Sequence, residues 1–218
     1  MPFTCHTVEP GTYVVREGER PAVCAILLGG FAYRHKVTGD GQRQIVSIHM
    51  PGDFLDLQNS FLDVADHNVQ ALTRCEMAYV QVLAVREIAA LRPQVGRAMW
   101  LDTLIDAAVF REWIVNVGRR DSLSRISHLL CELGLRLEAA GLAHHHCYEL
   151  PMTQEQIADC TGLTPVHVNR MFKNLGLDGL ISRTKRSVTV NDWKALAEAG
   201  DFESTYLHLP EHKLALTQ

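Results

Sequence analysis

Five basic side chains, Arg170, Lys173, Arg183, Lys185 and Arg186, fall between residues 164 and 190 against one acid, Asp178. Cationic donors of this kind hold phosphate oxygens, and an arginine adds a planar fork that can grip guanine O6 and N7 together. In TPVHVNRMFKNL, Arg170 would share a helical face with Val166, Asn169 and Lys173. Asn169 could bridge adenine N6 and N7 or hold a phosphate, and Val166 could touch a thymine methyl. Thr164 and His167, at the start of the same segment, complete the expected contact set. The chemistry suggested is recognition of a polyanion whose bases are read. One good bidentate contact discriminates between bases by about 1–3 kcal/mol.

A net charge of −4 does not oppose this. Residues 1–118 hold 10 Lys/Arg and 13 Asp/Glu, and residues 119–218 hold 11 and 12, so neither half is basic as a whole. Attraction to phosphate acts over about one Debye length, roughly 8–10 Å in physiological salt, so local density decides it.

The elements that must position these side chains are legible in MTQEQIADCTGLTPVHVNRMFKNLG. Thr153 and Gln156 form a Thr-x-x-Gln capping box, which starts a first helix over 154–160. Ala158 is small where two helices must cross, and Gly162 suits a turn that needs positive φ. Thr164 can cap a second helix, 165–175, with Pro165 in its first position. Val168, Met171, Phe172 and Leu175 make its buried face at i, i+3, i+4 and i+7. This is helix-turn-helix spacing. Gln154 and the free N–H groups of the first helix are expected to hold phosphate. LISRTKRSVTV reads as two strands around a basic turn, a wing for the DNA backbone. The plain alternative is a solvated helix face. The capping box, small residue, turn glycine and basic hairpin together argue against it.

Residues 3–83 read as short strands: TYVV, VCAILL, FAYRHKV, QIVSI and MAYVQVL. Gly11, Gly18, Gly29-Gly30, Gly39-Asp40-Gly41 and Pro51-Gly52-Asp53 punctuate them. A small antiparallel barrel or roll fits, and an open sandwich is the alternative. A short helix follows over 85–92, then a helix over 94–118 that is apolar on most sides and about 37 Å long. A partner chain is its natural cover, through Trp100, Leu101, Leu104, Ala108, Arg111 and Val115. The alternative is a central core helix in a monomer. Gly118-Arg119-Arg120-Asp121 is a hinge, and Asp121 or Ser122 can cap a helix over 122–140. Residues 139–151 read as a loop, 191–200 as a capped helix, and 201–218 carry no pattern. The expected organisation is a sensor domain over 1–92, a dimerisation helix and hinge over 93–120, a DNA-binding domain over 121–201, and a tail over 202–218.

With these segments in place the chain resembles the Crp/Fnr superfamily of bacterial transcription regulators. The carriers are Gly29-Gly30, Pro51-Gly52-Asp53-Phe54, the long apolar helix, GRRDSLSRISHLLCEL, the helix-turn-helix, and GLISRTKRSVTV with NDWKAL. The resemblance implies an α+β chain: an N-terminal antiparallel β-roll of the cyclic-nucleotide-binding type (a double-stranded β-helix or jelly roll), a long dimerisation helix and a C-terminal winged helix-turn-helix. It also implies a homodimer on a near-palindromic double-stranded DNA site, with half-sites about 34 Å apart, and RNA polymerase as a further partner.

Two departures stand out. In the cyclic-AMP-binding members the recognition helix begins Arg-Glu, and that glutamate reads a base. Here the positions are Pro165 and Val166, so a different operator is expected. Those members hold the nucleotide with a Gly-Glu and an Arg-Ser. Here the matching positions fall near Leu57 and Ala65-Asp66, and no Lys or Arg occurs between Arg43 and Arg74. A phosphate buried beside Asp53, Asp56, Asp63 and Asp66 without a cation would be costly, unless an arginine reached in from elsewhere. No ordinary cyclic-nucleotide binding is expected.

No cofactor is predicted, though haem or a metal stays open. Iron–sulfur members use clustered cysteines, and only Cys5 and Cys24 lie in the first 74 residues. His144-His145-His146-Cys147 reads as a polar loop, with a metal or haem as the sharper alternative. Cys5-His6 carries a similar weak signal. Six cysteines without a CxxC pair, no signal-peptide pattern and no long apolar run point to a cytoplasmic chain and away from a membrane. The rival functional class is a regulatory module whose winged helix contacts protein. The basic cluster argues against it. An enzyme is disfavoured, because no phosphate-cradling glycine loop or nucleophile elbow is present.

Overall fold

The structure is a computed structural model and describes residues 2–184 and 186–209. The chain divides into two compact units, Met1–Ala107 and Ala108–Gln218.

The first unit runs β1 (Phe3–Val8), β2 (Tyr13–Val15), β3 (Val23–Gly29), β4 (Ala32–Val37), β5 (Arg43–His49), a 3-10 turn (Leu57–Ser60), β6 (Asn68–Ala71), β7 (Cys75–Gln81), α1 (Val82–Leu91) and the start of α2 (Pro93–Arg119). Its strands form two antiparallel sheets, β1-β7-β3 and β2-β6-β4-β5. Val15, Leu27, Ala32, Val69, Ala71 and Met77 come from both sheets and bury together, so the core lies between them. This is the roll. Gly30 makes the β3–β4 turn at φ +83, where a Cβ would stand 2.4 Å from the Arg74 carbonyl oxygen. Only glycine fits there.

The roll also buries charge that strand alternation does not announce. The β4–β5 register shifts between Arg34 and His35, and Ala32, Tyr33, Arg34 and His35 are all buried. A bulge that breaks the pleat is one way to turn consecutive side chains inward. Arg34, 4% exposed, donates to Asp106 Oδ2 on α2 at 2.7 Å and to the Leu55 carbonyl at 3.0 Å. His49 and His67 are buried in the same unit, each beside an aspartate: His49 Nδ1 is 3.5 Å from Asp53, and His67 Nδ1 is 2.6 Å from Asp66.

The second unit continues α2, then α3 (Ser122–Ala139), β8 (Cys147–Glu149), α4 (Gln154–Thr161), α5 (Pro165–Leu177), β9 (Ile181–Thr184), β10 (Ser187–Val190), α6 (Trp193–Ala199) and a 3-10 turn (Ser204–Leu207). Asp121 caps α3, accepting from the Leu123 and Ser124 N–H groups at 2.9 Å. The Ser124 bond first, then the Leu123 bond, holds its carboxyl below the usual range. The helix is buried on nearly every side because α4, α5 and α6 all pack on it. Glu132, 0% exposed, is held by Trp113 Nε1 at 3.0 Å to both oxygens, by the Tyr206 hydroxyl at 2.7 Å and by Arg136 at 3.3 Å.

Two segments carry more order than their sequence suggests. Within the expected loop 139–151, Cys147–Glu149 pairs with β10 to complete a β8-β10-β9 sheet. In the patternless tail, Phe202 and Tyr206 form an aromatic cluster with His128, and residues 210–218 lie outside the described residues.

Candidate nucleic-acid interface

The capping box forms as its sequence requires. Thr153 Oγ1 accepts the Gln156 N–H, and Gln156 Oε1 accepts the Thr153 N–H at 2.8 Å. α4 closes at Gly162, which takes the left-handed conformation at φ 63. The turn is tied to α3, because Arg125 Nη1 donates to the Thr161 carbonyl at 2.9 Å. Thr164 then caps α5, accepting the His167 N–H at 3.3 Å, with Pro165 at the first position.

α5 separates into two faces. Val168, Met171, Phe172 and Leu175 are buried, while Val166, Asn169, Arg170 and Lys173 are exposed. Thr164 and His167 are exposed as well, and His167 Nδ1 lies 2.8 Å from Thr164 Oγ1, which draws the ring back onto the cap. At the start of α4, Thr153 is exposed and Gln154 half-buried, beside the exposed acid Glu155. That acid lowers the attraction of this helix end for phosphate. Sequence reading passed over it.

The wing is the β9–β10 hairpin, with Ser187 opposite Thr184 and Val190 opposite Ile181. Arg186 is exposed at its turn. Lys185 lies outside the described residues. Arg183 sits with its guanidinium carbon 4.5 Å from the centre of the Phe172 ring. Partial burial there pulls its pKa below the ordinary arginine value. The wing is thereby stacked on the recognition helix, a link that spacing alone did not show.

Residues 124–199 match the Crp-like helix-turn-helix domain, and residues 5–91 match the cyclic nucleotide-binding domain. The transcriptional activator protein FnrL of Cereibacter sphaeroides is 30% identical over 198 residues, covering 88% of this chain and 79% of that protein. The chain belongs to the Crp/Fnr family of DNA-binding transcription regulators. The nitrogen fixation regulation protein FixK of Azorhizobium caulinodans is 26% identical over 172 residues, covering 78% of this chain and 68% of that protein. The structure of FixK2 from Bradyrhizobium japonicum superposes with a TM-score of 0.84 at 22% identity, covering 91% of this chain and 98% of that one. It shares the fold.

Within this Crp/Fnr chain, the expected partner face of α2 is mostly bare. Trp100, Leu101, Leu104 and Val115 are exposed apolar side chains, and Arg111 is exposed too. Ala108 is buried within its own chain. The positions matched to nucleotide contacts are otherwise engaged: Leu57 and Ala65 are buried, and the Asp66 carboxylate is bonded to His67. Three cations from outside reach this segment: Arg34 at the Leu55 carbonyl, Arg86 at the Ser60 carbonyl and Lys36 at the Asp66 carbonyl.

The cysteines are dispersed, and none forms a disulfide among the described residues. Burial, then Asp56, pushes the Cys24 thiol up to about 12, while Cys5 is exposed on β1. The histidine run forms a tight turn. His145 and His146 take positive φ, and His144 and Cys147 exchange backbone bonds of 3.1 and 2.9 Å. His146 stacks on Trp193, with its Nδ1 3.2 Å from Glu138. Among the described residues, no group of three or more His, Cys, Asp or Glu is placed to hold a metal ion, and no helix is long and apolar enough to cross a membrane.

Proposed function

We propose that two copies of this chain associate along α2 and place their α5 helices in successive major grooves of a near-palindromic operator. The observation that carries this is the exposed face of α5. There Asn169, Arg170 and Lys173 stand clear of a fully packed opposite side, with the wing stacked behind them. Arg170 is the base reader, through guanine O6 and N7. Asn169 reads adenine or holds phosphate. Lys173, Arg183, Lys185, Arg186, Thr153, Gln154 and Thr164 serve the backbone, and His167 reaches phosphate through its Nε2. Self-association is supported by the exposed Leu101, Leu104, Arg111 and Val115, which recur along one helical face at intervals of three, seven and four residues. RNA polymerase is the further partner that family membership suggests, and the cytoplasm the compartment. The protein works by binding and not by catalysis.

The roll does not accept an ordinary cyclic nucleotide. The chain puts Leu57 where the ribose contact, and Ala65-Asp66 where the phosphate contact, of the nucleotide-binding members falls, and Arg34 already meets Asp106. The roll's residues therefore do not fit that ligand, and no activation step is assigned to one. Selection of the full chain from random duplex DNA should enrich a two-fold symmetric site with half-site centres about 10 base pairs apart. Sedimentation should give a dimer. A monomer, or no enrichment at low salt, would contradict the proposal.

A further inference from the structure

Val166 is 79% exposed, at the second position of α5, on the face that carries Asn169, Arg170 and Lys173. Its placement has no packing reason, since most of the side chain lies in solvent. It has no helix-propensity reason either, since a β-branched residue is a modest helix former. Lone exposed apolar side chains are common on protein surfaces. This one is set apart by its place among groove-facing donors, in the turn that reaches base edges in helix-turn-helix proteins. Its neighbours leave it room. Pro165 has no N–H to offer, and Thr164 and His167 are bonded to each other at 2.8 Å.

An isopropyl group can neither donate nor accept a hydrogen bond. Pressed against a bare cytosine it would strip water from the N4 donor and return nothing. The apolar feature of the major groove is the C5 methyl of a pyrimidine, carried by thymine or by 5-methylcytosine. Four residues separate Val166 from Arg170, about 6 Å along the helix axis at 1.5 Å per residue. Base pairs repeat every 3.4 Å or so.

We infer that Val166 is a specificity-determining residue that reads a pyrimidine C5 methyl in each half-site, one or two base pairs from the guanine gripped by Arg170. The inference rests on the DNA-reading role of α5 proposed above. The methyl can come from thymine or from a methylated cytosine, so binding at this position responds to cytosine methylation. The acid found here in the cyclic-AMP-binding members would accept from cytosine N4 instead. The change of residue changes which pyrimidine is admitted.

The test takes the site enriched from random DNA by the full-length protein and replaces each thymine of a half-site by deoxyuridine, which removes only the methyl. One position should weaken the wild-type protein about fourfold, and about fifteenfold when both half-sites are changed, the effect of one buried carbon per contact. At that position 5-methylcytosine should bind better than cytosine by a similar factor of about four. Val166→Ala should be nearly blind to the methyl. Val166→Glu should reverse the preference toward unmethylated cytosine. Both substitutions sit at an exposed position, so the fold survives them. No thymine whose methyl matters, or a methyl effect that persists in Val166→Ala, overturns the inference while leaving DNA reading intact. If no site is enriched at all, the proposed function fails first.

Discussion

Arg34 Nη1 and Asp106 Oδ2 stand 2.7 Å apart, joining β4 of the roll to α2. The arginine is deeply buried and the aspartate partly so. A buried guanidinium needs a carboxylate, and removing that partner costs far more than the pair itself contributes. Asp106→Asn should therefore destabilise the roll by about 1–3 kcal/mol, and Arg34→Met by a similar amount. The double variant should lose less than the sum, with a coupling of roughly 1 kcal/mol or more in a urea-denaturation cycle. Additive losses would mean that the pair is incidental. Calorimetry with cyclic AMP should show no heat of binding to the wild-type chain.

The histidines of the roll make its stability depend on pH. Burial, then Arg43, lowers the His35 pKa to about 4, and burial likewise lowers His49 and His67. The unfolded chain, with histidines near 6.5, then binds more protons than the folded one below that value. Stability contributed by the neutral imidazoles is full above about pH 6.5 and is lost as the pH falls toward 4. Asp56 opposes this over part of the range, because burial pushes its carboxyl up to about 6. The urea midpoint should fall between pH 7.5 and 5.5, and His35→Gln should flatten the fall. A midpoint that rises on acidification would contradict the assignment.

Glu132 is a buried acceptor where three segments of the second unit meet. Trp113 from α2, Arg136 one turn along α3 and Tyr206 from the final 3-10 turn all donate to it. The Tyr206 hydroxyl is raised well above its ordinary range by burial and by this carboxylate, so it acts as a fixed donor. Tyr206→Phe leaves a buried carboxylate short of one bond and should cost about 1–3 kcal/mol. Thermal unfolding followed through Trp113 and Trp193 emission would register the loss. An unchanged midpoint would show that water replaces the hydroxyl without cost.

What the sequence disclosed follows from how local each signal is. The ends of α4 and α5 lie within a residue or two of the expected 154–160 and 165–175, because a capping box, a turn glycine and a Thr-Pro start act over three or four residues. β1 and β6 went unmarked. β1 is exposed along most of its length, and β6 alternates over only the four residues NVQA, too short a stretch to stand out as a strand. Their order comes from the neighbouring strands. Arg34 with Asp106, and Tyr206 with Glu132, are 72 and 74 residues apart. Charge or aromatic character at one end says nothing about a partner at such a distance. On the recognition face, residue types were legible, whereas the Thr164–His167 bond and the Arg183–Phe172 stack arise only in the folded chain.

The central claim is that the exposed face of α5 reads base sequence while the wing holds the backbone. It is tested most directly by measuring the affinity of wild-type, Arg170→Ala and Arg186→Ala proteins for the selected operator and for a scrambled duplex across a salt series. Arg170→Ala should lose about 1–3 kcal/mol on the operator and little on the scrambled duplex. Arg186→Ala should weaken both alike and reduce the salt slope by about one. Equal losses on both duplexes for Arg170→Ala would contradict base reading by this helix.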